Sequence, residues 1–347
     1  MIFTTVYYIF VLSQYPKHPA ANLADRRLPV TIRKDSAGGV LPDRGRKGGR
    51  LMSTKKELYL GDLMMLGATV IWGAMTVFSK QILAELSIFN MIALRFLIGF
   101  VICLAVFHRR YRRLERRTVV HAAILGVLLF VSYLLMVWGC VYTTASNAGF
   151  MMCLTSVFIP VILGLTGQRR PTLRLCLSIA VTLTGVGLMC LSGVIRPNIG
   201  DLICVGCALA YSFQMIYTEK YAHQDDAVVV GTLQLLFVSV LGFICAFLFE
   251  DAFLLPQSRI GWLQLLYLAV MCGAVGFILQ TGAEKRIPSS HASLIFATQP
   301  VFVALSAFLL MGEDITLRQI IGIVVVFCGV LIVEYKRETA ETAAKTV

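Results

Sequence analysis

Charge is scarce in this sequence: Asp, Glu, Lys and Arg make up 14% of its 347 residues, against about 25% in an average soluble domain. Hydrophobic residues reach 58% and mean hydropathy is +0.79, more apolar surface than a soluble core could hide. A water-soluble globular protein is excluded. Acidic residues are the scarcer sign, 19 against 31 Lys and Arg, for a net charge of +12. Most basic residues sit in short segments between long apolar runs, as at a membrane protein's cytoplasmic edge, so no nucleic-acid partner is expected. Neither a GxxxxGK[ST] loop nor an HExxH pair occurs, which disfavours ATP-driven pumping and zinc chemistry. The ten cysteines lie within or at the ends of apolar runs. There Cys behaves as a small hydrophobe, so no disulfide framework, metal site or cofactor is expected, and the Cys204/Cys207 pair falls inside an apolar helix.

Residues 1–12 are apolar but too short to cross about 30 Å of hydrocarbon, which takes roughly 20 helical residues. Residues 13–51 are polar, basic and rich in Pro and Gly, the composition of a disordered extension. Met52 opens a basic leader, MSTKKELYLGD, so residues 1–51 are expected to be an upstream extension and Met52 the native start. Apolar stretches then recur at 61–80, 88–107, 120–138, 147–166, 173–193, 200–219, 229–248, 262–281, 291–310 and 318–335, each long enough to cross as a helix. Helices satisfy their own backbone groups in lipid, where open sheet edges cannot. From Met52 onward seventeen basic residues fall on one side of these spans and four, Lys80, Arg196, Arg259 and Arg318, on the other. The positive-inside rule then puts both termini in the cytoplasm, with 336–347 a cytoplasmic tail, and requires an even number of spans.

The two halves are similar to each other. GDLMMLGATVIWGAMTVFSK at 61–80 overlays GDLICVGCALAYSFQMIYTE at 200–219 at an offset of 139, which also puts Arg95 on Gln234. Farther along the offset is 144, matching Thr172-Leu173-Arg174 with Thr316-Leu317-Arg318 and Gly185-Val186 with Gly329-Val330. Each half, 60–193 and 200–335, holds five spans. Because five is odd, the second copy must insert upside down, the inverted-topology repeat that lets one site face either side in turn. The expected fold class is an all-α integral membrane protein of ten transmembrane helices in two inverted five-helix repeats.

Trp72-Gly73 midway along the first span, the run Ala93-Leu94-Arg95-Phe96, Pro300-Val301, Gly312-Glu313 and the series Gln319, Gly322, Gly329 occur in a set order. In these features the chain resembles the drug/metabolite transporter superfamily and, within it, the EamA-type proteins. The resemblance covers roughly 60–335 and implies ten spans in two five-helix repeats that move small metabolites. There are departures: Ser156 stands where the overlay matches Pro300, with Pro160 one turn later, and Gln168-Arg169 stands opposite Gly312-Glu313.

A transport path needs polar or aromatic groups on helix faces turned from lipid, preferably in both repeats. Trp72, Thr76 and Ser79 share one helical face, as do Tyr211, Gln214 and Thr218, and the 139 offset matches Trp72 with Tyr211. Spans four and nine add Thr155 and Gln299, and spans three and eight add Tyr133 and Gln280. The expected substrate-binding residues are therefore Trp72, Thr76, Tyr133, Thr155, Tyr211, Gln214, Gln280 and Gln299; each alone could equally be a hydrogen bond between packed helices. Arg95 is the clear intramembrane charge. It either attracts a substrate carboxylate or, the preferred reading, snorkels or bonds helix-end carbonyls in a structural role. His291 is the best titratable candidate near neutral pH, with helix capping or an interfacial position the preferred reading. Asp62 and Asp201 are expected at helix starts, and Glu284 just past the eighth span beside Lys285 and Arg286. The membrane-embedded Glu that cationic-drug antiporters of the superfamily carry in their first helix has no counterpart, which favours a neutral or zwitterionic substrate.

The expected function is a secondary transporter, an exporter, of small polar metabolites such as amino acids or related compounds across the plasma (inner) membrane. Its partners are that small-molecule substrate and the lipid bilayer. The six Arg of HRRYRRLERR at 108–117 suit anionic headgroups, at about 1 kcal/mol each near the surface. Small-residue faces at Gly273–Gly276 and Gly322–Gly329 pack helices within one chain or between two, which leaves a homodimer open. Two alternatives stand: a flippase of lipids or lipid-linked metabolites with the same fold, and a membrane-embedded enzyme, for which no clustered catalytic constellation appears.

Overall fold

The computed structural model describes residues 55–112, 114–143, 150–169, 171–190, 199–250, 255–312 and 315–345; the side chains of residues 55, 76, 77, 80, 137, 140, 141, 190, 307, 311 and 333–345 are outside this description, as is the expected extension 1–51. The described elements are all helical: α1 (Lys55–Ile82), α2 (Ile88–Tyr111), α3 (Arg116–Tyr142), α4 (Thr155–Leu165), α5 (Leu173–Cys190), α6 (Ile199–Gln224), α7 (Ala227–Phe249), α8 (Arg259–Glu284), α9 (Ser289–Leu310) and α10 (Leu317–Lys345). Seven are long and apolar enough to cross a membrane, and shorter apolar helices cover Phe150–Leu165, Leu173–Met189 and Leu317–Ile332. The expected tail, 336–347, continues α10 as helix through Lys345.

Apolar side chains such as Val101, Val127, Leu202, Val240, Phe247 and Leu309 face outward, while Arg95, Gln214, Gln234, Gln280, Thr281 and Glu284 are sealed inside. Water would penalise that arrangement. Lipid favours it, because only the interior offers polar groups a partner. The chain is a multi-pass membrane protein.

The packing mirrors the sequence repeat. Helix α1 lies against α8 and α9 as α6 lies against α3 and α4; α2 packs on α7 and α8 as α7 packs on α2 and α3; α5 packs on α10. Repeat partners α2 and α7 run in opposite directions: Arg110 at the end of α2 meets Asp226, the N-cap of α7, at 2.9 Å. At the other end Glu250, just past α7, accepts from the Phe89 and Asn90 amides at the start of α2 at 2.7 and 3.1 Å. In the α5/α10 pair a Cβ on Gly185 would meet Gly322 and Val326, and one on Gly329 would meet Ser178 and Thr182. The 144 offset carries one set of contacts onto the other. The Gly322–Gly329 face is thus used within the chain, and so is Gly273–Gly276, where Gly273 faces the Arg95 carbonyl and Gly276 faces Trp72.

Two departures from the overlay resolve in the backbone. Helix α4 ends in a Schellman motif, with Gly167 N–H on the Gly164 carbonyl at 3.1 Å and Gln168 N–H on the Leu163 carbonyl at 3.0 Å. Such a stop needs a left-handed residue, which glycine supplies without a Cβ clash. Gly167 has φ 68° and Gly312, after α9, φ 69°, so Gly167, not Gln168, is the counterpart of Gly312. Both helices are also interrupted at matching places, at Leu154 and at Ala297–Thr298. Side chains add bonds to the carbonyls there: Ser156 Oγ donates to Cys153 O and Thr298 Oγ1 to Ile295 O, each at 2.7 Å. Pro300 lacks the N–H that would continue α9 across its break.

Six ion pairs occur among the described residues: Arg110–Asp226, Arg117–Asp225, His121–Asp225, Arg169–Glu219, Arg286–Glu57 and His291–Asp62. All six join one repeat to the other, and all lie at the end of the bundle where α1 begins. Asp62, expected at a helix start, lies inside α1 instead, because that helix already runs from Lys55. At the opposite end Glu250 and Glu85 are held by hydrogen bonds, Glu85 from Ser258 and the Gln257 amide.

Burial works against the Asp225 charge, but hydrogen bonds from His121, Thr118 and Arg117 outweigh it and hold the carboxyl below its ordinary range. The unfolded group titrates near ~3.9. The stabilisation is therefore complete above that pH and is lost as pH falls through the lower folded value. Asp225→Asn should lower the melting temperature of the detergent-solubilised protein at pH 7 by several degrees and flatten its decline on acidification to pH 3; an unchanged acid limb would contradict the assignment.

Candidate functional site

The site is organised around Trp72, midway along α1. Its indole Nε1 donates to the Cys272 carbonyl at 2.9 Å, inside a π-helical stretch of α8, Tyr267–Val275. A π-helix widens the turn and often marks a functional position. The same region returns two donors to α1, Tyr267 Oη at 3.1 Å and Cys272 Sγ at 3.6 Å, both on the Ile71 carbonyl. Gln299 Nε2 donates to the Trp72 carbonyl at 3.4 Å. Glycines let these backbones meet: a Cβ on Gly276 would lie 2.7 Å from Trp72 Nε1, and one on Gly73 would strike Phe302.

From Trp72 an unbroken series of aromatic rings crosses the interior. Trp72 meets Phe277 at 5.4 Å and Phe296 at 5.9 Å between centroids; Phe296 meets Tyr211 at 5.2 Å. In the other direction Phe277 meets Phe96 at 6.1 Å, and Phe96 meets Tyr133 at 5.3 Å. The series draws on six helices and both repeats, at tilted and edge geometries that favour aromatic pairs.

Arg95 closes one end of the series. Its guanidinium carbon lies 4.7 Å from the Phe96 centroid and 5.1 Å from that of Tyr133; Nη2 donates to Tyr133 Oη at 3.0 Å and approaches Met75 Sδ at 3.4 Å. The residue is 1% exposed and its Nε has no hydrogen-bond partner among the described residues. Burial excludes snorkelling, and its partners are a phenol and a thioether rather than helix-end carbonyls. No described carboxylate pairs with it. A buried guanidinium held by rings, a hydroxyl and a thioether, with Nε unpartnered among the described residues, retains capacity for an anion.

The other end is a row of amides. Gln234 Nε2 donates to Gly231 O at 3.0 Å, Gln214 Nε2 to Gln234 Oε1 at 3.2 Å, and Gln280 Nε2 to Gln214 Oε1 at 3.2 Å and to Glu284 Oε1 at 3.0 Å. Glu284 was expected beyond the eighth span. It is instead the last residue of α8 and fully buried, because the helix continues past 281 and turns this residue inward.

Of the expected binding residues, Trp72, Tyr133 and Tyr211 share the aromatic series, Gln214 and Gln280 share the amide row, and Gln299 reaches Trp72. Thr155 stands apart, bonding the Ala208 carbonyl at 3.4 Å between α4 and α6; the Thr76 side chain lies outside the described residues. His291 Nε2 pairs with Asp62 at 3.0 Å instead of capping a helix. Phe277, Phe296 and Glu284 were not foreseen as site residues. Phenylalanine is common in apolar stretches, so only Phe96, within its four-residue run, carried a signal.

Residues 59–191 and 198–335 each match the EamA-like transporter family. An uncharacterized transporter of Archaeoglobus fulgidus is 27% identical over 281 residues, 81% of this chain and 87% of that protein. The uncharacterized transporter YetK of Bacillus subtilis is 23% identical over 90% of this chain and 94% of its own length. A solved protein structure superposes with TM-score 0.68 at 19% identity, covering 78% of this chain and 97% of that one, a likeness of fold. The chain belongs to the EamA-like transporter family.

Trp72→Phe removes the N–H that donates to the Cys272 carbonyl, and loss of this buried bond should cost ~0.5–1.5 kcal/mol in thermal unfolding. Gly276→Ala pushes a methyl into the indole nitrogen and should act on the same contact, so the double variant should lose less than the sum of the two. Additive losses would show that the indole bond does not organise this region.

Proposed function

We propose that the chain is a secondary transporter, an exporter of small polar metabolites such as amino acids or related compounds, working by alternating access in the plasma (inner) membrane without a cofactor. In this reading ten transmembrane helices form two inverted five-helix repeats, 60–193 and 200–335, with both termini cytoplasmic. The observation that carries it is the aromatic series between the repeats, ending on a buried Arg95 that no described carboxylate neutralises. Rings bind the apolar part of a metabolite, amides and hydroxyls its polar part, and the guanidinium a carboxylate. The antiparallel run of α2 and α7 supports inversion. The ion pairs favour the same reading, since six bonds between the repeats at one end can break together when that end opens. Their basic partners support a cytoplasmic position for that end.

Efflux tests this directly. The full chain, expressed in cells lacking background exporters, should lower sensitivity to toxic amino-acid analogues and export the parent amino acids. A Tyr211→Ala/Gln214→Ala variant at equal membrane expression should lose efflux about tenfold or more, as expected when polar contacts in a buried site are removed. Arg95→Gln should weaken export of carboxylates more than of their methyl esters. Flux of fluorescent phospholipids in vesicles with none of amino acids would favour a flippase; unchanged efflux in the double variant would move the site elsewhere.

A further inference from the structure

Glu284 is fully buried, yet no described Lys, Arg or His pairs with it. Its Oε1 accepts from Gln280 Nε2 at 3.0 Å, while its Oε2 is buried without a hydrogen-bond partner among the described residues. The surrounding charges are committed elsewhere. On α1, Glu57 holds Arg286 and Asp62 holds His291 of α9; on α6, Glu219 holds Arg169 and accepts from the Ser289 amide; on α7, Asp226 holds Arg110. Tyr211 of α6 faces the carboxyl electrostatically, as does Glu219, and Lys285 follows in the chain without an ion pair among the described residues. An ionised carboxyl in such a place lacks the compensation that buried charges require.

We infer that Glu284 is a proton-binding site, the coupling element of the transporter proposed above, on which this coupling role rests. A proton from the aqueous phase adds to one carboxylate oxygen and leaves the group neutral; loss to the opposite side restores the anion, so each cycle carries one proton. The amide row gives the event a reach beyond Glu284. With the carboxylate ionised, Gln280 presents its N–H to Glu284 and each amide donates onward towards Gln234. A protonated carboxyl turned to Gln280 needs an acceptor, which that amide supplies by rotating its oxygen into place. The rotation faces oxygen to oxygen at Gln214, so Gln214 and then Gln234 rotate as well, and the Gly231 bond is released. One proton thus reverses a hydrogen-bond row running through α8, α6 and α7.

The test uses the purified full chain. Infrared difference spectra between acid and alkaline pH should show the carbonyl band of a buried protonated carboxyl, absent in Glu284→Gln and shifted in Glu284→Asp, which keeps a titrating group if the amide variant folds poorly. Gln280→Met should shift the band without removing it. In proteoliposomes loaded with an amino acid exported in the efflux assay, an imposed pH gradient should drive accumulation, and Glu284→Gln should weaken that dependence about tenfold or more. A spectrum in which neither substitution changes a carboxyl band overturns the proton site. Gradient-driven accumulation that survives Glu284→Gln, or that follows sodium instead of pH, overturns its coupling role. Wild-type vesicles that move none of these compounds defeat the transporter reading, and the infrared spectra then decide the proton site alone.

Discussion

The bond from the Trp72 indole to the Cys272 carbonyl states the constraint under which the protein is built. Lipid supplies no hydrogen-bond partner, so every polar group inside must find one within the chain. Here the partners come from the opposite repeat. Trp72 of the first half satisfies a carbonyl of the second, and Tyr267 and Gln299 of the second satisfy carbonyls beside it in the first. The interface between repeats is consequently polar and aromatic at its centre, where a soluble protein would put its most apolar contacts.

The two ends of that interface are held differently. Where α1 begins, six ion pairs cross between repeats, several of them partly exposed: Arg117 is 55% exposed at its side chain, Asp226 40% and Glu57 41%. Such pairs each contribute little net stability in water and are screened by salt, which suits bonds that form and break in a working cycle. At the other end Glu250 is gathered by four donors from Ser87, Phe89 and Asn90, fastening the exit of α7 to the entry of α2. Ends held by different chemistry answer differently to pH and salt.

Much of the architecture was legible because membrane insertion and the repeat both act on short patterns. Apolar stretches gave the helices, and the 139 and 144 offsets anticipated which helices would pack as counterparts, down to Gly185 and Gly329. Trp72 and Tyr211, matched by the overlay, both meet Phe296. Other features had no local signature. The π-helical stretch in α8 lies where the Trp72 indole reaches the Cys272 carbonyl, a long-range contact that composition does not record. Gly167 and Gly312 were offset by one residue because a left-handed stop, not residue identity in an overlay, sets where those helices end. Glu284 looked interfacial beside Lys285 and Arg286. One more turn of helix was enough to carry it inside while Arg286 stayed at the edge with Glu57.

That last turn separates two kinds of polar group. Phe277 follows the π-helical stretch, and Glu284 lies seven residues, about 10 Å, farther along α8 at 1.5 Å per residue. Between Phe277 and the carboxyl lie Tyr211, which ends the aromatic series and faces Glu284, and Gln280, with Gln214 and Gln234 across the repeat boundary. Apolar side chains there would have isolated the two levels, since packing contacts carry no orientation. Amides carry one, because each must present either its oxygen or its N–H, and a neighbour's choice constrains the next. The row is therefore the structural reason to treat the aromatic centre and the buried carboxyl as one machine rather than as two unrelated polar sites.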